Sequence, residues 1–139
     1  MKQKSETLTV RTHGPGLVDI TEPVERFVAH SSIREGLLTL FIRHTSASLL
    51  VQENADPDVL TDLENFMRRT VSRDMSLYRH TTEGPDDMPA HIRSALTQTS
   101  LSIPLRDGRM VLGTWQAIYV FEHRDKAYDR EIAAHVMGV

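Results

Sequence analysis

The sequence predicts an α+β fold: one compact domain over residues 1–139, with a mixed or antiparallel sheet and about three helices packed on it. Three observations lead there. Strand-like segments gather towards both ends of the chain, helical periodicity occupies the middle, and no repeat or low-complexity stretch divides the sequence. A chain of this length buries roughly 68–70% of its unfolded surface, so it folds without staples.

The elements follow in order. Residues Glu6 to Thr12 alternate apolar and polar, as in a strand with one solvated face. Gly14-Pro15-Gly16 marks a turn. Thr21 is placed to cap a first helix, with Pro23 in its first turn and Val24, Phe27 and Val28 as its apolar stripe. Leu37 to Ile42 is almost continuously apolar, consistent with a strand buried on both faces. Asp56 and Pro57 open a second helix whose core face is Val59, Leu60, Leu63, Phe66 and Met67. A shorter helix begins near Asp87 to Pro89 and runs to about Thr97, with Ile92, Ala95 and Leu96 inward. Leu101 to Leu105 and Arg109 to Leu112 flank Arg106-Asp107-Gly108 and read as a hairpin. Thr114 to His123 is the longest strand, and apolar residues on both of its faces place it centrally. Asp125 to Asp129 is a polar loop, and Ile132, Ala134 and Val136 belong to a last strand.

Composition narrows the chemistry. Cysteine is absent, which excludes disulfides, a thiolate nucleophile and a cysteine metal site. Any metal must be held by His, Asp, Glu, carbonyls or water, a donor set suited to zinc, manganese or magnesium. A net charge of −3 with scattered Lys and Arg argues against double-stranded nucleic acid as a partner. No apolar run reaches the length of a membrane span, and Met1 to Glu6 lacks the apolar core of a signal peptide, so a cytoplasmic location is expected.

Three segments look wrong for a plain scaffold: His44-Thr45-Ser46-Ala47-Ser48, the stretch Tyr78 to His91, and Glu122-His123-Arg124. The second places His80, Glu83, Asp86, Asp87 and His91 within twelve residues. If the helix starts by Asp87, then Asp87 and His91 stand one turn apart on one face. His123, at a strand end, could complete a three-histidine site with an open position, and nearby carboxylates could orient the imidazoles. Each reading has a structural counterpart. Asp86 or Asp87 could simply cap a helix, and a histidine at a strand end is often hydrogen-bonded for structure. The spacing matches no zincin pattern. Glu53-Asn54-Ala55-Asp56-Pro57-Asp58 could hold magnesium or merely start a helix. Gly113-Thr114-Trp115-Gln116 could line a pocket, or be a bulge glycine followed by a core Trp. His13, His30 and His135 carry no partner signal and read as structural.

At these same segments the chain resembles the YjbQ family, whose members are described as secondary thiamine-phosphate synthases. The resemblance is carried by His44-Thr45-Ser46-Ala47-Ser48, Glu53 to Val59, Glu83-Gly84-Pro85-Asp86-Asp87-Met88-Pro89-Ala90-His91-Ile92, Leu112-Gly113-Thr114-Trp115-Gln116 and Glu122-His123-Arg124, with weaker matches at Asp19-Ile20-Thr21 and Ser100 to Pro104. It spans nearly the whole chain in order. It implies a compact α+β subunit assembled as a homotrimer, and a divalent metal and anion site built from the histidine-bearing segments. His80, His91 and His123 are then the expected metal ligands. His44 stands with Thr45 and Ser46 in the anion-binding wall, and Glu83, Asp86 and Asp87 orient ligands or carry protons.

Together these readings make His44, Glu83 and Asp87 the candidate catalytic groups. Thr45, Ser46, Asn54, Asp86, Trp115, Gln116 and Arg124 are the candidate substrate contacts. The family reaction joins a pyrimidine-methyl diphosphate to a thiazole phosphate and releases diphosphate. A divalent ion, Arg124 and hydroxyl or backbone donors would neutralise the leaving group. The adjective "secondary" leaves room for another phosphorylated small molecule as physiological substrate. The sequence departs from the family at Ala117, usually Gly, and at Phe121, commonly Cys; both changes add bulk along the strand leading to His123. The competing expectations are a module that binds a metal or anion without turnover, and a purely structural trimer.

Overall fold

The computed structural model describes all 139 residues. In chain order the elements are β1 (Lys2–Arg11), β2 (Gly16–Asp19), α1 (Thr21–Ser31), β3 (Gly36–Ile42), β4 (Ala47–Glu53), α2 (Pro57–Thr70), a single 3-10 turn (Met75–Leu77), α3 (Asp87–Leu96), β5 (Ser100–Arg106), β6 (Arg109–Met110), β7 (Gln116–Glu122) and β8 (Asp129–Gly138). The fold is α+β with three helices, as expected, but the strands form two sheets rather than one. The larger has the order β1-β8-β3-β5-β6 and the smaller β2-β7-β4. All pairings are antiparallel. No helix is long and apolar enough to cross a membrane.

The core lies between the sheets and under α1. Leu38 and Leu40 of β3, Ile132, Ala134 and Val136 of β8, Leu49 of β4, and Ile118 and Val120 of β7 meet Val24, Phe27 and Val28 of α1. β7 is central in its sheet and buried on both faces, as its apolar composition requires. β8 is longer than its three core residues suggest and sits between β1 and β3. Where β3 and β8 begin and end, Gly36 faces Gly138, and a Cβ on Gly36 would lie 2.1 Å from the Met137 carbonyl. Only glycine permits that approach.

Helix starts and faces differ in part from expectation. α2 begins as predicted: the Asp56 carboxylate accepts the Asp58 N–H at 2.9 Å and Pro57 occupies the first turn. Thr21 does not cap α1. It is the first helical residue; its N–H donates to Asp19 Oδ1 (2.8 Å), and its hydroxyl accepts the Ile118 N–H (2.9 Å), pinning the helix to β7. Phe66 of α2 is 54% exposed, and the buried residues of that helix are Glu64 and Met67. In α3 the predicted inward face is turned out: Leu96 is 62% exposed, while Asp87, Ala90, Arg93 and Ser94 are buried. The buried face carries Asp87, hydrogen-bonded to His80 and His91 and paired with Arg124, and Arg93, which lies 3.9 Å from Glu64 of α2.

Candidate metal centre

The chain from Tyr78 reaches α3 through a turn in which Gly84 takes φ +101°. Arg124, just past β7, clamps that turn to the sheet. Its Nε donates to Asp86 Oδ2 (2.9 Å), one terminal nitrogen donates to the Glu83 carbonyl (3.1 Å), and the other lies 2.9 Å from Asp87 Oδ1. Asp86 Oδ2 also accepts the Asp125 N–H at 3.0 Å. Asp86 therefore does not cap α3 with its side chain, although it occupies that position. Arg124 is thereby an internal clamp in this structure, with its Nε and both terminal nitrogens each turned to an acceptor of the loop.

The clamp presents four side chains to one point. One ligand atom from each of His80, Glu83, Asp87 and His91 lies within 4.8 Å of the others. His80 Nε2 is 2.7 Å from Asp87 Oδ2 and 3.1 Å from Glu83 Oε2. His91 Nε2 is 3.1 Å from the same Asp87 oxygen, one helical turn away. The two rings stand 5.5 Å apart, edge to face. The Asp87 side chain is only 3% exposed, whereas both imidazoles are partly open to solvent, so the cluster has a dry floor and an open side.

Hydrogen-bond bookkeeping places a proton on His91 Nδ1. Its Nδ1 is 3.0 Å from the Thr45 carbonyl, which can only accept, so Nδ1 carries the proton. A neutral ring would direct the bare Nε2 lone pair at a carboxylate oxygen. Two electron-rich atoms tolerate that contact only with a positive charge between or upon them, either a second ring proton or a cation. An Nδ1–H bound to a backbone carbonyl is also the arrangement that orients a histidine for metal ligation through Nε2. Burial opposes ionisation of Asp87, but the hydrogen bond from His80 and the charges of His91 and Arg124 hold its carboxyl below the usual range. Hydrogen bonds to Asp87 and then Glu83 hold His80 above its ordinary value. Two imidazoles with one or two carboxylates match the preferences of zinc or manganese.

Other sequence candidates lie elsewhere. His123 does not join the cluster. It is 1% exposed, with Nε2 2.9 Å from Ser48 Oγ and its ring 4.5 Å from that of Phe121. Burial, then the charge of Arg93, lowers its pKa to about 3, so it is neutral. His44 is held by β8: its Nε2 accepts the Glu131 N–H at 2.8 Å, and burial with the Arg130 charge lowers its pKa. Thr45 contributes its carbonyl rather than its hydroxyl, and Ser46 is buried with Oγ 3.1 Å from Arg130. Asn54, Trp115 and Gln116 are remote. In the β4–β7 ladder Glu53 faces Gln116 while Ala47 faces Glu122, which sets the two groups at opposite ends of a strand pair roughly 20 Å long. The bulk of Ala117 and Phe121 is accommodated, since both are buried in β7.

The sequence reading missed the polar core beneath the centre. Fully buried Glu122 receives Arg130 Nε at 2.8 Å, Arg130 Nη2 and the Thr12 hydroxyl at 2.5 Å each, and the N–H groups of His123 and Arg124. Arg130, on the same period-two face as Ile132, Ala134 and Val136, was the available signal.

These features define a small two-sheet α+β protein with a histidine–carboxylate centre at one end of its smaller sheet. The chain belongs to the YjbQ family: the family described as UPF0047 protein YjbQ-like matches residues 6–139. It is 53% identical over 137 residues to the UPF0047 protein sll1880 of Synechocystis, covering 99% of this chain and 93% of that one. It is 43% identical over 136 residues to the UPF0047 protein YjbQ of Escherichia coli, covering 98% and 97%. Among solved structures, a hypothetical protein of Aeropyrum pernix aligns with a TM-score of 0.88 at 27% identity, over 98% of this chain and 99% of that one. A conserved hypothetical protein of Thermus thermophilus aligns at 0.84 and 35% identity, over 95% and 99%.

Proposed function

We propose that the protein is a metal-dependent enzyme acting on phosphorylated small molecules, with a divalent cation held by His80, Asp87 and His91 and with Glu83 beside it. One observation carries this reading: His91 Nε2, its ring oriented by the Thr45 carbonyl, converges with His80 Nε2 on one buried carboxylate oxygen. The residues present fit zinc or manganese, and such an ion supplies charge neutralisation for a departing phosphate or diphosphate. The chain's own groups do the rest. Arg124 keeps Asp86 and Asp87 in place, and Thr45 fixes the His91 ring. Glu83, solvent-exposed and 3.1 Å from His80, is our candidate acid–base group at the open side.

The reaction we assign for testing is the one the family resemblance implies, joining a pyrimidine-methyl diphosphate to a thiazole phosphate with release of diphosphate. Purified protein incubated with both substrates and each of zinc, manganese and magnesium should release diphosphate, and His91→Ala should abolish release while remaining folded. No product with any of the three ions would leave a binding module rather than an enzyme. We also propose a homotrimer, as the family resemblance implies; the exposed apolar side chains Phe66, Leu77 and Leu96 are candidates for burial in it. A monomer mass by light scattering would refute it.

A further inference from the structure

A well-formed cavity lies away from the histidine cluster. It is a cleft of about 620 Å³ between α1 and the 108–116 segment, at the far end of β4 and β7. That volume suits a small organic ligand. Its apolar floor is Val28, Met110 and Leu112. Two opposite charges line it, Glu25 from α1 and Arg109 from β6. Neither takes part in an ion pair, while the nearby Arg26 and Arg34 are paired with Glu22 and Asp107.

The polar groups between those charges have defined leftover capacity. Thr21 Oγ1 already accepts from Ile118, so its hydroxyl proton is available to donate. Gln116 Oε1 accepts the Gly113 N–H at 2.7 Å, which fixes the amide and leaves its NH₂ as a donor. The Asn54 amide nitrogen leans on the Thr114 carbonyl at 3.5 Å, leaving its oxygen to accept. The cleft thus offers an apolar floor, one cation, one anion, and both donors and acceptors along the wall.

We propose that this cleft is a second ligand site, separate from the histidine centre, for a small zwitterion: a ring carrying an anionic group that pairs with Arg109 and an ammonium that pairs with Glu25. The ring lies on Val28, Met110 and Leu112, and its heteroatoms meet Asn54 and Gln116. Trp115, the only tryptophan and 62% exposed, sits between two lining residues and reports occupancy through its fluorescence.

The test uses pyridoxamine phosphate as probe, because one aromatic ring bears both a phosphate and an ammonium. Pyridoxamine lacks the phosphate and pyridoxine phosphate lacks the ammonium. Titration of the full chain, read by calorimetry and Trp115 emission, should show saturable binding of pyridoxamine phosphate at millimolar or lower concentration. Arg109→Ala should weaken that binding about five- to tenfold and leave pyridoxamine unaffected; Glu25→Ala should weaken it similarly and leave pyridoxine phosphate unaffected. His91→Ala should bind all three like the natural sequence, so failure of the metal reading would leave this one standing. Absence of saturable binding, or losses that do not follow the deleted charge, would overturn it.

Discussion

Replacing Glu122 with Gln tests the polar core that supports the centre. The carboxylate is fully buried and accepts from Arg130, Thr12 and two backbone N–H groups. The amide keeps the shape and one acceptor oxygen but loses the charge and turns an NH₂ towards donors, leaving the buried Arg130 guanidinium without its counter-charge and with one fewer acceptor. Removing one partner of a buried, hydrogen-bonded pair costs about 3–5 kcal/mol. At roughly 3 °C per kcal/mol for a domain of this size, the melting temperature should fall by about 10–15 °C in differential scanning calorimetry. The pH dependence should change too. Burial opposes ionisation of Glu122, but the Arg130 and Thr12 hydrogen bonds prevail and depress its pKa below the ordinary 4.5. A depressed carboxylate contributes stability that is complete above pH 4.5 and is lost as pH falls through the lower folded value. Glu122→Gln should therefore lack that part of the acid loss. Changing both partners, Glu122→Met with Arg130→Met, should cost less than the sum of the single changes. A melting temperature unchanged within about 3 °C, a shift worth only about 1 kcal/mol, would refute the reasoning.

Other consequences are open to measurement. In metal-free protein, Asp87→Asn should bring the raised His80 pKa back towards 6.5, followed by NMR titration; an unmoved titration would show that Asp87 is not its cause. His80 contributes stability that is full below pH 6.5 and is lost as pH rises through its elevated folded pKa, so this variant should also flatten stability on the alkaline side. His123 should not titrate until about pH 3, and its ring signals should stay constant from pH 7 to pH 5. Because the unfolded chain takes up a proton there that the folded chain refuses, His123 erodes stability as pH falls from 6.5 towards 3; His123→Leu should reduce that slope. Ser48→Ala should cost about 1–3 kcal/mol in urea unfolding, since it removes the hydroxyl that meets His123 Nε2.

What was legible in the sequence was local. Asp56-Pro57 announced α2 because cap and first-turn chemistry act within three residues. The central position of β7 followed from apolar residues on both faces. The cluster of His80, Glu83, Asp87 and His91 was visible because twelve residues hold it and a helical turn aligns two members. The rest depended on distant partners. β2 has four residues, too few for a period to show, and β4 hid behind the polar segment that precedes it. His123 looked like a ligand because nothing nearby reveals Ser48, 75 positions earlier, as its partner. Asn54 and Gln116 joined the wrong site because the register of β4 on β7 sends them to the opposite end. The face of α3 was misread because an apolar count assumes charged residues stay outside, and Asp87 and Arg93 do not.

The most direct test is ion binding by chelated, dialysed protein, followed by isothermal titration with zinc and with manganese in the natural sequence and in His80→Ala, His91→Ala and His123→Ala variants confirmed as folded. One ion per chain should bind in the natural sequence and in His123→Ala, and binding should be lost or weakened at least about 100-fold in the other two. Undiminished binding in His91→Ala, or loss confined to His123→Ala, would contradict the placement of the metal at His80, Asp87 and His91.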